Sequence, residues 1–233
     1  DLPSGCDAKE GGCDPAAFQA NLTICFGAVK TGLLNLPARG RCGVLEEADI
    51  GIPAQLYEDS DVMETMTPQE AVGQMPPRTA QSHKGSFGRL LCVCGSVPMS
   101  GAAVMSVKSA LRCGTGLTTL AAPRDVVRNI AAALTENTFL PLPQTSDGYL
   151  SHEAAAVIVG ALTGATACLI GCGLGTGEGA RTVVRAVLEN ASCPVIVDAD
   201  GLNCACTDID ILRTASCPVI LTPHPGEMAR LMQ

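Results

Sequence analysis

The chain has 233 residues, which is enough to bury one sizeable core and parts of two domains. Hydrophobic residues make up 47% of it and charged residues 16%, a balance typical of a folded protein rather than a disordered one. The formal net charge is -8 without any long Lys/Arg run, which argues against a nucleic-acid partner. No apolar stretch approaches the roughly 18 residues of a membrane span, so we expect no membrane partner either.

Thirteen cysteines are present, and their pattern argues against both a disulfide framework and a zinc site. Their number is odd, Cys92, Cys94 and Cys168 lie within apolar runs, and no Cys-x-x-Cys pair occurs. We therefore expect reduced thiols that pack as small hydrophobic side chains, and a cytoplasmic location.

Residues 1–58 form a first block in which short apolar segments, Leu22–Phe26 and Val44–Leu45, are separated by Gly- and Pro-rich loops. The block is predicted to end in a terminal strand over Asp49–Pro53. Residues 59–82 are polar and contain three prolines, which indicates a linker, with one short helix over Pro68–Gly73. The chain opens without Met and stops within a predicted helix, and we interpret both ends as cuts in a longer protein.

From residue 83 onward, apolar runs of strand length alternate with helical segments. The predicted strands are Leu90–Cys94, Gly116–Ala121, Ala167–Ile170, Pro194–Val197 and Val219–Leu221. The predicted helices cover residues 102–112, 126–134, 152–162, 180–189 and 208–215, and a last one starts near Gly226. Residues 141–148 are predicted to be a loop. This alternation predicts an α/β domain with a mostly parallel sheet.

A Gly-rich loop, residues 171–177, lies between a predicted strand and a predicted helix. Glycines at such a junction let backbone amides approach a phosphate at the N-terminus of a helix, but they also occur for packing alone. The loop lacks the Lys of a phosphate-binding Walker motif and does not follow the G-x-G-x-x-G spacing. Its function therefore stays open at this point.

Polar side chains follow the next two predicted strands. Asp198, Asp200 and Asn203 come directly after one of them, where they can orient a substrate or a hydrated cation, or simply cap the next helix. His224 follows the other strand and is held between two prolines, which suits polar recognition of a substrate in the same crevice.

Two further turns carry small or polar residues. Gly95–Ala103 follows the strand Leu90–Cys94, where a flat ligand can lie close to the backbone; helix capping by Ser100 or Gly101 is an equal alternative. Asp1 and Ser4 flank a Pro-Gly turn whose oxygens suit a ribose hydroxyl or an alkali cation, although composition alone indicates an ordinary turn.

Together these segments resemble one family. Asp1–Gly5, Phe26–Leu33 and Asp49–Pro53 are similar to the closing third of NAD(P)H-hydrate epimerase domains. A second set resembles NAD(P)H-hydrate dehydratase domains, which have a ribokinase-like fold; it comprises His83–Arg89, Gly101–Ala103, Ala110–Leu117, Gly171–Gly175, Asp198–Asn203 and Thr222–Glu227. The resemblance implies the end of a Rossmann-like epimerase domain at 1–58, a linker at 59–82 and a truncated dehydratase domain at 83–233.

The resemblance also implies a function in metabolite repair. The epimerase interconverts the R and S forms of the hydrated cofactor NAD(P)HX, and the dehydratase returns the S form to NAD(P)H with ADP or ATP and Mg²⁺. Ala102, a glycine of the pair Gly173 and Gly175, and His224 would contact NAD(P)HX, and Asp200 and Asn203 would lie beside the site of phosphate transfer. In the epimerase part, Asp1 would contact the hydrate and Ser4 would help bind K⁺. A homo-oligomer is expected as well.

The chain also departs from the family pattern. Cys172 stands where the family usually has Pro, and the family's catalytic Asp is expected beyond Gln233, so the piece itself is predicted to be inactive or nearly so. Two alternatives stay open: a ribokinase-like kinase for a vitamin precursor or sugar, and a non-catalytic nucleotide-binding or scaffold protein.

Overall fold

The structure, a computed structural model, describes residues 1–58, 62–64 and 66–233. The chain forms two compact units, Asp1–Pro77 and Arg78–Gln233, which we call the N-terminal and the C-terminal unit. None of the helices in the described ranges is long and apolar enough to cross a membrane.

The N-terminal unit is built on two parallel strands, β1 (Leu22–Phe26) and β2 (Val44–Ala48). Between them, short 3₁₀ helices at Thr31–Leu34 and Ala38–Arg41 cover one side of the pair. The buried cluster beneath them is small, and its fully buried members are Cys25, Leu33, Ala38 and Cys42. Strand β1 coincides with the apolar segment Leu22–Phe26 noted in the sequence. The Rossmann-like character of residues 1–58 stays a prediction.

The predicted terminal strand over Asp49–Pro53 is wrong. Strand β2 ends at Ala48, and the next five residues form no strand. Gly51 has a φ of +80°, and its N–H donates to the Asp49 side chain at 2.8 Å, so the backbone turns instead of extending.

Two short helices follow, α1 (Gln55–Glu58) and α2 (Pro68–Gly73). Helix α2 was predicted with these bounds, and Thr67 and Glu70 cap it reciprocally. Of the predicted linker 59–82, residues 59–61 and 65 lie outside the described ranges. The proposed domain boundaries themselves stay predictions.

The C-terminal unit contains a six-stranded sheet in which every neighbouring pair is parallel, which confirms the predicted α/β class. Its strands are β3 (Arg89–Val93), β4 (Leu117–Pro123), β5 (Thr138–Leu142), β6 (Ala167–Ile170), β7 (Val195–Val197) and β8 (Val219–Leu221). Their spatial order is β5-β4-β3-β6-β7-β8. The connecting helices are α3 (Ser100–Arg112), α4 (Arg124–Ile130), α5 (Ala154–Leu162), α6 (Glu178–Asn190), α7 (Asp200–Ala205), α8 (Asp210–Arg213) and α9 (Pro225–Leu231).

Helices cover both faces of this sheet, and strand β3 shows how the faces divide. Leu91 and Val93 belong to one buried cluster, with α5 and α6, whereas Cys92 and Cys94 belong to the other, with α3 and α4. This alternation follows from the two-residue period of a strand. Seven of the thirteen cysteines are buried, including Cys168, and pack in the core as small hydrophobic side chains.

Strand β5 lies where the sequence predicted the start of a loop. Pro141 makes this segment a poor strand candidate, because proline has no N–H to donate. The structure resolves the conflict by placing β5 at the edge of the sheet, where only β4 pairs with it. Helix α7 was also missed, since its residues Asp200–Ala205 form little more than one turn.

Candidate functional site

The candidate site lies where the strand order reverses. Strand β3 has β4 on one side and β6 on the other, and the helices that follow β3 and β6 pack on opposite faces of the sheet, which opens a crevice between their loops. The two loops are joined, because the Gly95 N–H donates to the Cys172 carbonyl at 2.8 Å. A Cβ added at Gly173 would lie 2.7 Å from the Ala102 Cβ, so this glycine permits the close approach.

A cavity of about 620 Å³ opens beside these loops. Its lining comes from four segments: Met99 after β3, Thr145–His152 after β5, Leu174–Ala180 after β6, and Asp200 after β7. Gly175 and Asp200 are the predicted site residues that line it. Gly173 and Ala102 lie directly behind Met99, since a Cβ at Gly173 would be 2.9 Å from the Met99 carbonyl oxygen.

Asp200 fixes the shape of the Gly-rich loop. Its Oδ2 accepts the Gly175 N–H at 2.8 Å, which ties the loop after β6 to the first residue of α7. The preceding residue, Ala199, has a φ of +50°, a strained value for a residue with a side chain. A strained backbone beside a cavity is a frequent feature of binding sites.

Asp198 links the ends of three neighbouring strands. Its Oδ1 accepts from the Thr222 hydroxyl at 2.7 Å, and its Oδ2 accepts from the Cys172 thiol at 3.2 Å. Behind Cys172, the hydrogen bond with that thiol and complete burial hold the pKa of Cys94 well above 9.0. Cys94 is therefore a neutral, structural thiol.

His224 and Asn203 are both tied to helix α9. The His224 Nδ1 accepts the Gly226 N–H at 3.0 Å, and the His224 backbone N–H donates to the buried Glu227 carboxylate at 2.9 Å. Asn203 accepts from the Arg230 guanidinium at 2.9 Å. Neither residue is among those that the structure shows lining the cavity, although the His224 side chain is 63% exposed and free to contact a ligand.

The loop after β5 was not predicted as part of the site. It folds back through a bridge between Gln144 and Leu150, and the Val97 N–H donates to the Gly148 carbonyl at 2.9 Å. The Tyr149 ring packs against Gly175, where a Cβ would come within 2.7 Å of it. The sequence contained one signal for this loop: Tyr149, one of only two tyrosines in the chain, directly follows Gly148.

The N-terminus of α6 forms another part of the wall. Residues 177–180 line the cavity, and Gly177 at the N-cap provides no side chain to cap the helix. The free N–H groups of a 13-residue helix thus face the cavity side of the loop, an arrangement that favours an anion. Glu178 in the first turn and Asp147 and Asp200 in the lining carry negative charge as well, so phosphate binding by residues 171–177 stays a prediction.

The other predicted site residues lie in the N-terminal unit. Asp1 accepts the Phe26 N–H at 2.8 Å and forms an ion pair with Lys30. The Ser4 carbonyl oxygen accepts the Phe18 N–H at 3.1 Å. Within the described part of the chain, no group of three or more His, Cys, Asp or Glu side chains is placed to hold a metal ion.

The segment His83–Arg89 lies away from the cavity. His83 caps a 3₁₀ helix at Lys84–Phe87, and Arg89 begins β3, so the segment stands at the amino end of the sheet. Its role in the structure is to lead the chain into the first central strand.

Comparison with known proteins gives a consistent result. The profile of a family described as NAD(P)H-hydrate dehydratase matches residues 90–233, which run from β3 to the end of the chain. A relative from Moorella thermoacetica, named bifunctional NAD(P)H-hydrate repair enzyme Nnr, is 39% identical over the whole chain. The chain spans only 44% of that relative's length.

Solved structures agree with the fold. The ADP/ATP-dependent NAD(P)H-hydrate dehydratase from Bacillus subtilis, co-crystallised with ATP and Mg²⁺, is 31% identical with a TM-score of 0.54, over 71% of this chain and 54% of that one. A ribokinase-like superfamily protein from Enterococcus faecalis has a TM-score of 0.55 at 24% identity, over 66% of this chain and 51% of that one, which shows the shared fold alone.

Proposed function

The chain belongs to the NAD(P)H-hydrate dehydratase family, and from that premise we propose that it supplies the NAD(P)HX-binding part of a nucleotide-dependent dehydratase. The observation that carries this proposal is the cavity at the reversal of strand order, where Gly175, Asp200 and the N-terminus of α6 meet. The parent protein would convert (6S)-NAD(P)HX to NAD(P)H. Adenine nucleotide with Mg²⁺ would supply the phosphoryl group that turns the ring hydroxyl into a leaving group.

The residues of this chain would bind and orient the substrate. The cavity, with Gly-rich and aromatic walls, suits a flat nicotinamide ring that lies against the wall formed by Tyr149 and Gly175. The N–H groups at the start of α6 would hold the pyrophosphate. Asp200 would act as a positioning residue, because its carboxylate is engaged by the Gly175 N–H.

The remaining predicted residues have proposed roles around this core. Ala102 and Gly173 would support the wall of the substrate site, since a glycine at position 173 lets the two loops pack closely behind Met99. His224 would use its exposed ring edge, and Asn203 would lie towards the phosphate-transfer region. A homo-oligomer and a cytoplasmic location are part of the same proposal.

For the N-terminal unit we propose the end of the NAD(P)H-hydrate epimerase domain. The support is the 39% identity to the bifunctional relative over the whole chain. Asp1 would contact the hydrate at the end of β1, where Lys30 balances its charge. One lone pair of the Ser4 carbonyl oxygen is used by Phe18, and the other would serve K⁺.

The direct test is binding of (6S)-NADHX to this chain, measured by titration calorimetry. We expect saturable binding that Tyr149→Ala weakens by about tenfold, whereas the exposed Met105→Ala on the outer face of α3 leaves it unchanged. Absence of binding by the folded chain would contradict the proposed substrate site.

Turnover is tested separately in the parent protein. Recovery of the near-ultraviolet absorbance of NADH, dependent on ADP or ATP with Mg²⁺, would establish dehydration. Nucleotide consumption with a sugar or vitamin precursor, and no action on NADHX, would instead support the ribokinase-like kinase, which the comparisons support less.

A further inference from the structure

Two thiols of the N-terminal unit face each other across a local β-bridge. Cys6 and Cys13 form an isolated antiparallel bridge, flanked by hydrogen bonds from Asp7 to Gly12 and from Asp14 to Gly5, both at 2.8 Å. This is the non-hydrogen-bonded pair of an antiparallel ladder, in which Cα atoms lie about 4.5 Å apart. Disulfides span Cα separations of that size.

The two sulfur atoms are already in contact, at an Sγ–Sγ distance of 2.7 Å. The loop between them is fixed on both sides: the Asp7 carboxylate accepts the N–H groups of Lys9 and Glu10, each at 2.7 Å, and the Gly11 carbonyl accepts the Ala38 N–H at 3.1 Å. The hydrogen-bonded loop therefore holds the two thiols close together in the folded unit.

The pair is also accessible, in contrast to most thiols of the chain. Cys6 and Cys13 are half-buried, whereas Cys25, Cys92 and Cys168 are buried. An oxidant in solution can reach the pair without unfolding of the unit.

We propose that Cys6 and Cys13 are a redox modification site that forms a reversible intramolecular disulfide with a low-molecular-weight disulfide such as oxidised glutathione. A Cys13 thiolate attacks one glutathione sulfur, the glutathione S–S bond breaks, and one glutathione thiolate leaves. Cys6 then loses its proton, attacks the Cys13 sulfur and expels the second glutathione. Two protein thiols are oxidised, and one glutathione disulfide is reduced to two thiols.

The order of attack follows from the environment of Cys6. Burial and the neighbouring Cys13 thiol raise the pKa of Cys6 to about 11, so this thiol is protonated at neutral pH. Attack from Cys13 therefore comes first, and Cys6 acts as the resolving thiol.

The disulfide would reinforce a unit whose buried cluster is small. It closes a loop of eight residues, which in the chain-entropy treatment shifts the folding equilibrium of that unit roughly fiftyfold towards the folded state. The closed loop follows directly on the turn that carries Ser4, so the turn would be held more firmly in the oxidised protein.

The test treats the native chain with glutathione buffers of graded ratio, then blocks free thiols and maps peptides by mass. We expect a Cys6–Cys13 peptide that has lost two hydrogens, with no glutathione retained at either residue. In Cys6→Ser, which cannot resolve, glutathione should remain attached to Cys13. Cys113→Ser, which removes an exposed thiol directly after α3, should leave the Cys6–Cys13 disulfide unchanged.

A chain that keeps both thiols free, or carries glutathione on each of them, under conditions that modify Cys113 would overturn the proposal. So would a preferred disulfide between any other pair. The wild-type peptide map decides the matter even if Cys6→Ser fails to fold.

Discussion

Both units of the chain are built on short parallel strands, but the side chains of these strands are buried to very different extents. In the N-terminal unit, β1 buries Cys25 on one side, whereas Leu22, Ile24 and Phe26 on the other side are each about half exposed. In the C-terminal unit, β3 buries residues on both faces, because helices cover the sheet above and below. The difference shows that coverage of both faces, rather than strand pairing, provides most of the core.

Even the larger sheet is unevenly covered. Its central strands are buried, but Ile220 and Leu221 of the edge strand β8 are 53% and 36% exposed. The candidate site lies at the well-covered centre, beside β3 and β6, whose residues are largely buried.

The largest effect on this buried centre is expected from Gly171→Ala. The φ of Gly171 is +124°, and an added Cβ would lie 1.9 Å from the Asp198 carbonyl oxygen, so backbone must move. We expect a loss of about 4 kcal/mol in the free energy of unfolding of the C-terminal unit, from steric overlap and backbone strain together. Denaturant unfolding followed by circular dichroism measures it.

The matched control is Gly160→Ala, in helix α5 of the same unit, where an added Cβ meets no atom within 4 Å. Alanine should stabilise this helix by up to about 1 kcal/mol. Equal losses from both substitutions would show that the Gly171 backbone is not constrained as the structure indicates.

The next prediction compares the stability lost when one buried leucine is truncated in each of the two units. Leu33→Ala and Leu188→Ala both remove a fully buried side chain, and each should cost about 3 kcal/mol. Because the cluster around Leu33 is small, we expect the N-terminal unit to lose its protection from amide hydrogen exchange, while the C-terminal unit with Leu188→Ala stays folded.

Hydrogen exchange with mass spectrometry resolves the two units by peptide, and Leu34→Ala, with a 47% exposed side chain next to Leu33, serves as control. Retained protection of residues 22–48 in Leu33→Ala would contradict the view that this small cluster holds the N-terminal unit together.

The smallest expected effect is a change in the stability of the loop 6–13 with pH. Backbone hydrogen bonds from Glu10 and Lys9 hold the pKa of Asp7 below its usual value of 3.8. Since the folded pKa is lowered, this carboxylate stabilises the fold above the unfolded pKa, and the contribution is lost as pH falls through the folded value. Protection of the loop 6–13 should therefore decline in acid, and Asp7→Asn should remove that dependence on pH. Amide exchange rates measured down through this range test it, with Glu10→Gln as the control from the same loop.

Much of the fold was predictable because its elements have strong local signals. The apolar runs Ala167–Ile170 and Val219–Leu221 were found with their bounds, and so was the capped helix Pro68–Gly73. Strand Thr138–Leu142 was missed because Pro141 opposes strand formation locally, and only its place at the sheet edge makes it acceptable.

Some residues of the candidate site were likewise identified from the sequence, and others were not. Gly175 and Asp200 were identified in the sequence and lie at the cavity, whereas Tyr149 was not identified, because its contact with Gly175 joins segments far apart in the chain. The assignment of His224 and Asn203 to the substrate stays a prediction, since helix α9 engages both.

The sequence by itself determined the α/β class, the parallel sheet and the Gly-rich loop at a strand end, because hydrophobic period and glycine placement act over a few neighbouring residues. Only the tertiary structure decided the strand order, and with it which loops meet across β3 and β6 to form the cavity. It also decided that Cys6 and Cys13 face each other, since hydrogen bonds from the surrounding loops set that register.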